Sequence, residues 1–270
     1  MKFIVLILAY VLFLPELYSQ HTDSLADKIN SNKNNIGIGF GLTDFHIRDE
    51  IASPLIYRGL GYSVSLMYSR VGDNDEHNVE LTAYYTRLRP MYAEYHAENF
   101  RAGIRYDYLR QVLKTGKLNN VFRIDAGGGL YTFFNISAYR EQYYPDEIME
   151  NLDVAWYLTY SVELSALFQY EIKRSNSFEF QIHFPFVSSI SRPAYSYVPG
   201  PEGNNDFELF GRISPFWENF IVQFKLAYRH KLSDRLSVFI RYDFQYSSYD
   251  QPRDVKMYMN NLQAGTCFIF

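Results

Sequence analysis

The chain has 270 residues, 30 acidic against 26 basic side chains for a net charge of −4, one cysteine, and an aromatic load of 25 Tyr and 22 Phe. That balance argues against nucleic-acid binding, and a lone Cys267 excludes an intramolecular disulfide. Beyond the N-terminal stretch there is no run of about 18 apolar residues, which excludes membrane-spanning helices.

Residues 1–19 have the form of a secretory signal peptide. Lys2 supplies the basic start, Phe3 to Leu14 is an apolar run of 12 residues, Pro15 breaks it, and Ser19 is a small residue before Gln20. The run is too short to span a bilayer as a helix. No cysteine lies near the cut, so a lipid anchor is not expected. Residues 20–35 are polar and predict a flexible lead-in, too small for a plug domain. From Ile36 to the end the alternation is continuous, so residues 36–270 are expected to form one domain.

The period from Ile36 onward is two, the mark of strands with chemically distinct faces. Ile36, Ile38, Phe40 and Leu42 oppose Gly37, Gly39 and Gly41. Tyr62, Val64, Leu66 and Tyr68 oppose Gly61, Ser63 and Ser65. Val79, Leu81, Ala83 and Tyr85 oppose Glu80 and Thr82. Phe100, Ala102, Ile104, Tyr106 and Tyr108 oppose Arg101, Gly103, Arg105 and Asp107. Phe122, Ile124, Ala126 and Leu130 oppose Arg123, Asp125, Gly127 and Gly129. Leu158, Tyr160, Val162, Leu164 and Phe168 oppose Thr159, Ser161, Glu163 and Ser165. Phe178, Phe180, Ile182, Phe184 and Phe186 oppose Glu179, Gln181 and His183. Phe220, Val222, Phe224, Leu226 and Tyr228 oppose Gln223, Lys225 and Arg229. Leu236, Val238, Ile240, Tyr242, Phe244 and Tyr246 oppose Arg235, Arg241, Asp243 and Gln245.

The connections alternate in length. Compact turns are expected at Gly72 to Asp75, Thr115 to Lys117, Lys173 to Asn176 and Ser233-Asp234. Longer loops are expected between them, notably Asn135 to Ala155 and Ser191 to Pro215. Short turns at one end and long loops at the other suit a transmembrane barrel.

The last stretch, Met257 to Phe270, is a tenth strand that stops on an aromatic residue. Tyr258, Leu262, Ala264, Thr266, Phe268 and Phe270 share one face, with Asn260 the polar exception. Within it, Gln263, Gly265, Phe268 and Phe270 resemble the C-terminal assembly signal of bacterial outer-membrane β-barrel proteins. The resemblance covers only this terminal segment. It implies recognition by the barrel-assembly machinery during insertion and a Gram-negative cell envelope; the short turns at one end and long loops at the other then place both termini in the periplasm. The expected fold is an all-β, ten-stranded antiparallel up-and-down transmembrane barrel, with eight or twelve strands as the neighbouring even counts.

The physical basis is the bilayer. A lipid-exposed backbone must satisfy every amide internally, and a closed sheet does so without helices. The apolar file then meets outer-membrane lipid and the polar file faces the lumen. Periodicity alone does not separate this from a soluble sandwich, which points its apolar file inward. Strand length, the terminal aromatic and tyrosines at strand ends favour the barrel. Tyr62, Tyr68, Tyr108, Tyr170, Tyr228, Tyr246 and Tyr258 suit interfacial girdles.

The inward file collects charges of both signs: Glu80, Arg101, Arg105, Asp107, Arg123, Asp125, Glu163, Glu179, Lys225, Arg229, Arg235, Arg241 and Asp243, with His183 among them. In a barrel of this size side chains nearly fill the interior, so a salt-bridged plug is expected, with a narrow charged pore as the sharper reading. His183 with Glu179 invites comparison with omptin-like proteases and lipid deacylases, but no motif of either is present. The loop from Arg140 to Asp153 carries Glu141, Asp146, Glu147, Glu150 and Asp153. It is acidic without the spacing of a calcium loop. The loop from Ser191 to Pro215 is rich in Tyr, Pro and Gly and is expected to be a surface loop or a lid. Gly127-Gly128-Gly129 has no following helix and so is not a nucleotide loop; it marks close packing. No residue set points to a cofactor or a metal. The functional expectation is an outer-membrane barrel with a structural, surface-binding or narrow, porin-like role. A membrane-embedded hydrolase at the barrel mouth is the alternative.

Overall fold

The computed structural model describes residues 33–90, 96–117, 120–141, 151–173, 175–193 and 210–270. The proposed signal peptide and most of the lead-in lie outside these residues. Eleven strands follow one another. They are β1 (Lys33–Asp49), β2 (Ser53–Val71), β3 (Asp75–Pro90), β4 (His96–Lys117), β5 (Asn120–Glu141) and β6 (Asn151–Ile172), then β7 (Asn176–Ser191), β8 (Arg212–Pro215), β9 (Asn219–Lys231), β10 (Leu236–Tyr249) and β11 (Val255–Ile269).

The strands close into a ring. Consecutive neighbours pair antiparallel from β1 to β7, then β7 pairs β9, β9 pairs β10, β10 pairs β11, and β11 returns to β1. The four-residue β8 pairs only with the far part of β7, Val187 to Ile190, so it continues the wall position of β9 and adds no eleventh stave. The barrel is therefore ten-stranded. Both ends of the ladder meet at the seam, where Asn34 and Phe270 exchange backbone hydrogen bonds of 3.1 and 2.9 Å. Closure satisfies the edge that an open sheet would expose. Among the described residues no helix is long and apolar enough to cross a membrane.

The alternation falls as the sequence predicts. Ile36, Phe40, Leu42, Leu66, Leu130, Ile240, Leu262 and Phe268 face outward and are exposed, while Ser65, Arg105, Asp125, Glu163, Arg241 and Gln263 face inward and are buried. On β7 the parity is reset once. Val162 faces Val187 and Glu163 faces Pro185, leaving Phe186 as an extra residue. A bulge is where a strand tolerates a proline.

Four expectations need correction. The segment expected to loop from Asn135 to Ala155 is largely strand, since β5 runs to Glu141 and β6 starts at Asn151; residues 142–150, with most of the acidic candidates, lie outside the described set. Likewise Ser191 ends β7 and Arg212–Pro215 is β8, while residues 194–209 are not described. The strand before the seam also begins at Lys33, three residues earlier than the alternation suggests. Arg235, expected in the lumen, is exposed in the turn before β10.

The reason for the extra length lies in both files. On β1 the outward residues pass from Leu42 to Asp44, His46 and Arg48, while the inward ones pass from Gly41 and Thr43 to Phe45 and Ile47. On β3 the outward file becomes Arg87 and Arg89 as Leu88 turns inward, and on β11 Lys256 faces out while Met257 and Val255 face in. The faces exchange chemistry at one level of the wall. Below that level the exterior meets hydrocarbon; above it β1, β3 and β11 are polar outside and apolar inside, as in a soluble barrel. A period of two persists through the exchange, so the strands need not stop there.

Candidate functional site

The lumen is filled in tiers. Nearest the seam turns, Arg123 bonds Asp125 at 2.7 Å and reaches Glu76 at 3.5 Å, and Arg229 reaches Glu179 at 3.4 Å. Gly39 and Gly265 are small for a reason of space. A Cβ at Gly265 would stand 2.5 Å from the Phe239 ring, and one at Gly39 would stand 3.1 Å from it. The two glycines let that ring cross the lumen against the seam.

The middle tier is a continuous ionic network. Arg241 binds Glu80 at 2.6 Å and Asp243 at 2.9 Å, and also donates to Gln263 at 2.7 Å. Lys225 pairs with the same Glu80. Arg105 donates to Glu163 at 3.1 Å, bonds Gln223, and lays its guanidinium 4.2 Å from the centroid of the Tyr131 ring. Asn261 donates to Asp243 at 3.0 Å and accepts from Ser63 at 2.7 Å, while Ser65 donates to Gln263 at 2.9 Å. Burying charges in this way is tolerable only because each meets an opposite charge or a donor.

Beside it sits a compact cluster drawn from β4, β6 and β7. Ser165 donates to Asp107 at 2.9 Å and lies 3.1 Å from His183 Nδ1. The same Nδ1 is 3.5 Å from Asp107 and 3.7 Å from Glu163. His183 and Glu163 have fully buried side chains and that of Asp107 is 3 % exposed. The register explains the meeting. Asp107 and Glu163 both pair with Gly129, one from each side, and Ser165 pairs with both Gly127 and His183. A Cβ at Gly129 would come 2.7 Å from the Asp107 carboxylate. The triple glycine is thus a gap in the wall over which the cluster closes.

Above lies an aromatic core that the sequence reading did not collect. Phe45, Ile47, Tyr57, Leu88, Phe133 and Tyr157 are among its members. Phe133 stacks on Tyr157 at 5.4 Å, and Arg101 covers the other tier with its guanidinium 4.2 Å from the Phe133 ring centroid. The signal for this core was present, since its residues continue the inward parity, but it was hidden by the assumption that inward means polar. At the mouth, Arg192 leaves β7 and crosses to the opposite rim. It bonds Asp49 at 2.7 Å and the Arg253 carbonyl at 2.8 Å. A cavity of about 30 Å³ remains at mid-lumen, lined by Glu80, Tyr84, Arg105, Gln223, Lys225 and Asp243 among others. That is the space of a water molecule or two.

The structure brings together all the charges expected in the lumen except Arg235. Arg101 is inside but pairs with Tyr131 at 3.2 Å and with Phe133 instead of a carboxylate. Of the residues that resemble an assembly signal, Gln263 and Gly265 face the lumen while Phe268 and Phe270 face outward and are exposed.

No protein-family model and no curated protein sequence matches the chain. Solved structures do. The outer membrane protease OmpT from Escherichia coli superposes with a TM-score of 0.52 at 8% identity, over 89% of this chain and 97% of that one. The fold is that of bacterial outer-membrane β-barrels. The translocator domain of the autotransporter NalP from Neisseria meningitidis matches at a TM-score of 0.44 and 8% identity, over 90% of this chain and 91% of that one. The attachment invasion locus protein Ail of Yersinia pestis matches at 0.37 and 8%, over 89% and 99%. At these identities the likeness concerns architecture, since unrelated functions share such folds.

Proposed function

We propose that this chain is an outer-membrane barrel with a sealed lumen, acting as a rigid structural or surface-binding element and not as a conduit. The observation that carries the reading is the stacking of three closures along one axis: paired charges, an aromatic core, and the Arg192 strap. A solute would have to break buried ion pairs and repack rings to pass. The start of β1 at Asn34 and the last residue, Phe270, meet at the short-turn end, which we assign to the periplasm, with insertion guided by the terminal Phe268 and Phe270. The far end, where β4, β5 and β6 each reach 22 residues, then projects outward from the cell.

The hydrolase alternative gains less support. A hydrolytic triad relays through both ring nitrogens of histidine, one toward the nucleophile and one toward the acid. Here Ser165 and Asp107 both approach Nδ1, and the group is buried far from any mouth.

Purified protein in planar bilayers tests the sealed reading. The expected result is no stepwise conductance for the native chain. Unitary steps from the native chain would overturn the proposal.

A further inference from the structure

We propose that Asp107, Glu163, Ser165 and His183 form a buried site for a divalent transition metal of the zinc class, set into the wall at Gly129. Four of the six separations among the donor atoms are 2.9, 3.1, 3.5 and 3.7 Å, and the ligand atoms of Asp107, Glu163 and His183 all lie within 4.8 Å of one another. A tetrahedral zinc with bonds of about 2.0–2.2 Å separates its ligands by roughly 3.3–3.6 Å. One histidine nitrogen and two carboxylate oxygens are ligands zinc takes, with the Ser165 hydroxyl at hand for the fourth position; calcium asks for six or more oxygens.

Two further observations point to a cation. Among the described residues Asp107 forms no ion pair with a lysine or arginine; the basic side chain nearest it is the His183 imidazole, 3.5 Å away. Glu163 meets both Arg105 and His183 through its Oε2, and its Oε1 is buried without a hydrogen-bond donor. A buried carboxylate oxygen without a donor is costly, and a cation at the cluster would offset that cost. The glycine gap is the third element. Any side chain at position 129 would press on Asp107, so the wall is cut back where the donors converge.

The neighbours supply an outer layer. Arg105 fixes the orientation of Glu163, and Gln181 approaches the second Asp107 oxygen at 3.4 Å. Such contacts orient metal ligands without touching the ion. With aromatic rings above and ion pairs beside it, the site has no open position for substrate, so the role is structural. The ion would enter before the ring closes and leave only when it opens.

The full-length chain is refolded into detergent with Zn²⁺ or with EDTA, freed of loose metal, and analysed by mass spectrometry for metal. The expected content is ~1 zinc per folded chain, resistant to EDTA added after folding. Asp107→Asn and His183→Gln are expected to lower it at least tenfold, while His46→Gln, at the partly exposed His46–Asp44 pair, keeps it. Cobalt in place of zinc should give the intense visible absorption of a four-coordinate ion, lost in His183→Gln. If His183→Gln does not fold, Ser165→Ala serves as the second variant; it is expected to weaken and shift the cobalt bands. Native protein refolded with zinc that retains no more metal than the variants would overturn the proposal. So would a cobalt spectrum unchanged by both His183→Gln and Ser165→Ala. Conductance plays no part in these readouts, so an open lumen and an absent metal would be recognised separately.

Discussion

Replacing Arg105 by methionine isolates the energetic claim on which the sealed lumen rests. The Arg105 side chain is 6 % exposed and that of its partner Glu163 is fully buried. Methionine keeps much of the length of the aliphatic stem but removes the guanidinium. Glu163 then has no arginine, and the contacts to Gln223 and the Tyr131 face are lost as well. Breaking a buried pair by deleting one partner costs about 3–5 kcal/mol. At 1.4 kcal/mol per decade, 4 kcal/mol is a nearly thousandfold shift in the folding equilibrium. The double change Arg105→Met with Glu163→Gln removes the stranded charge, so it should recover ~2 kcal/mol or more of that loss. Reversible guanidinium unfolding in lipid vesicles, followed by fluorescence and far-UV dichroism, measures both. A water-filled lumen would solvate Glu163, and the single change would then cost no more than an exposed pair, about 0–1 kcal/mol. A loss that small, or two single losses that simply add, would refute the argument for a desolvated, ion-paired interior around Glu163.

The lipid belt and the mouth give further tests. Ile240→Arg on the outward face is expected to destabilise by about 2–4 kcal/mol in a bilayer, whereas Arg58→Leu, above the exchange of chemistry on β2, should stay within about 0.5 kcal/mol; equal effects would misplace the belt. Tyr139, inside the barrel above the belt, has its hydroxyl pKa pushed up by burial and then by Asp49. Below the unfolded value, about 10, both states are neutral and nothing is lost. Above it the unfolded chain ionises while the folded one resists, so stability should fall with rising pH. Tyr139→Phe should blunt that fall in unfolding free energies measured on either side of this point, and an unchanged profile would contradict the burial.

Much of the architecture is local in origin and therefore legible along the chain. Side chains on a strand alternate whatever the strand's partners, so the outward direction of Phe224 or Ile240 and the inward direction of Arg241 follow from parity and the demand of hydrocarbon for apolar surface. The compact turns at Gly72 to Asp75 and Ser233-Asp234 are likewise local, set by residue types that reverse a strand. The segments from Asn135 to Glu141 and Asn151 to Ala155 misled for a definable reason. Alternation continues there, with Asn135, Ser137 and Tyr139 inward and Ile136 and Ala138 outward, but the polar residues clustered toward the strand ends, such as Glu141, Asn151 and Asp153, read as a loop.

What the chain alone determined is the class of wall and the side of it on which each residue stands. Only the closed structure decided who meets whom. Arg105 finds Glu163, on the strand beyond the next, because β4, β5 and β6 pair in one register across Gly129. Arg241 finds Glu80 across the seam, and Arg192 finds Asp49 across the mouth. Those distances depend on how the ring is sheared and sealed, a property of all ten staves together that no single stretch of sequence contains.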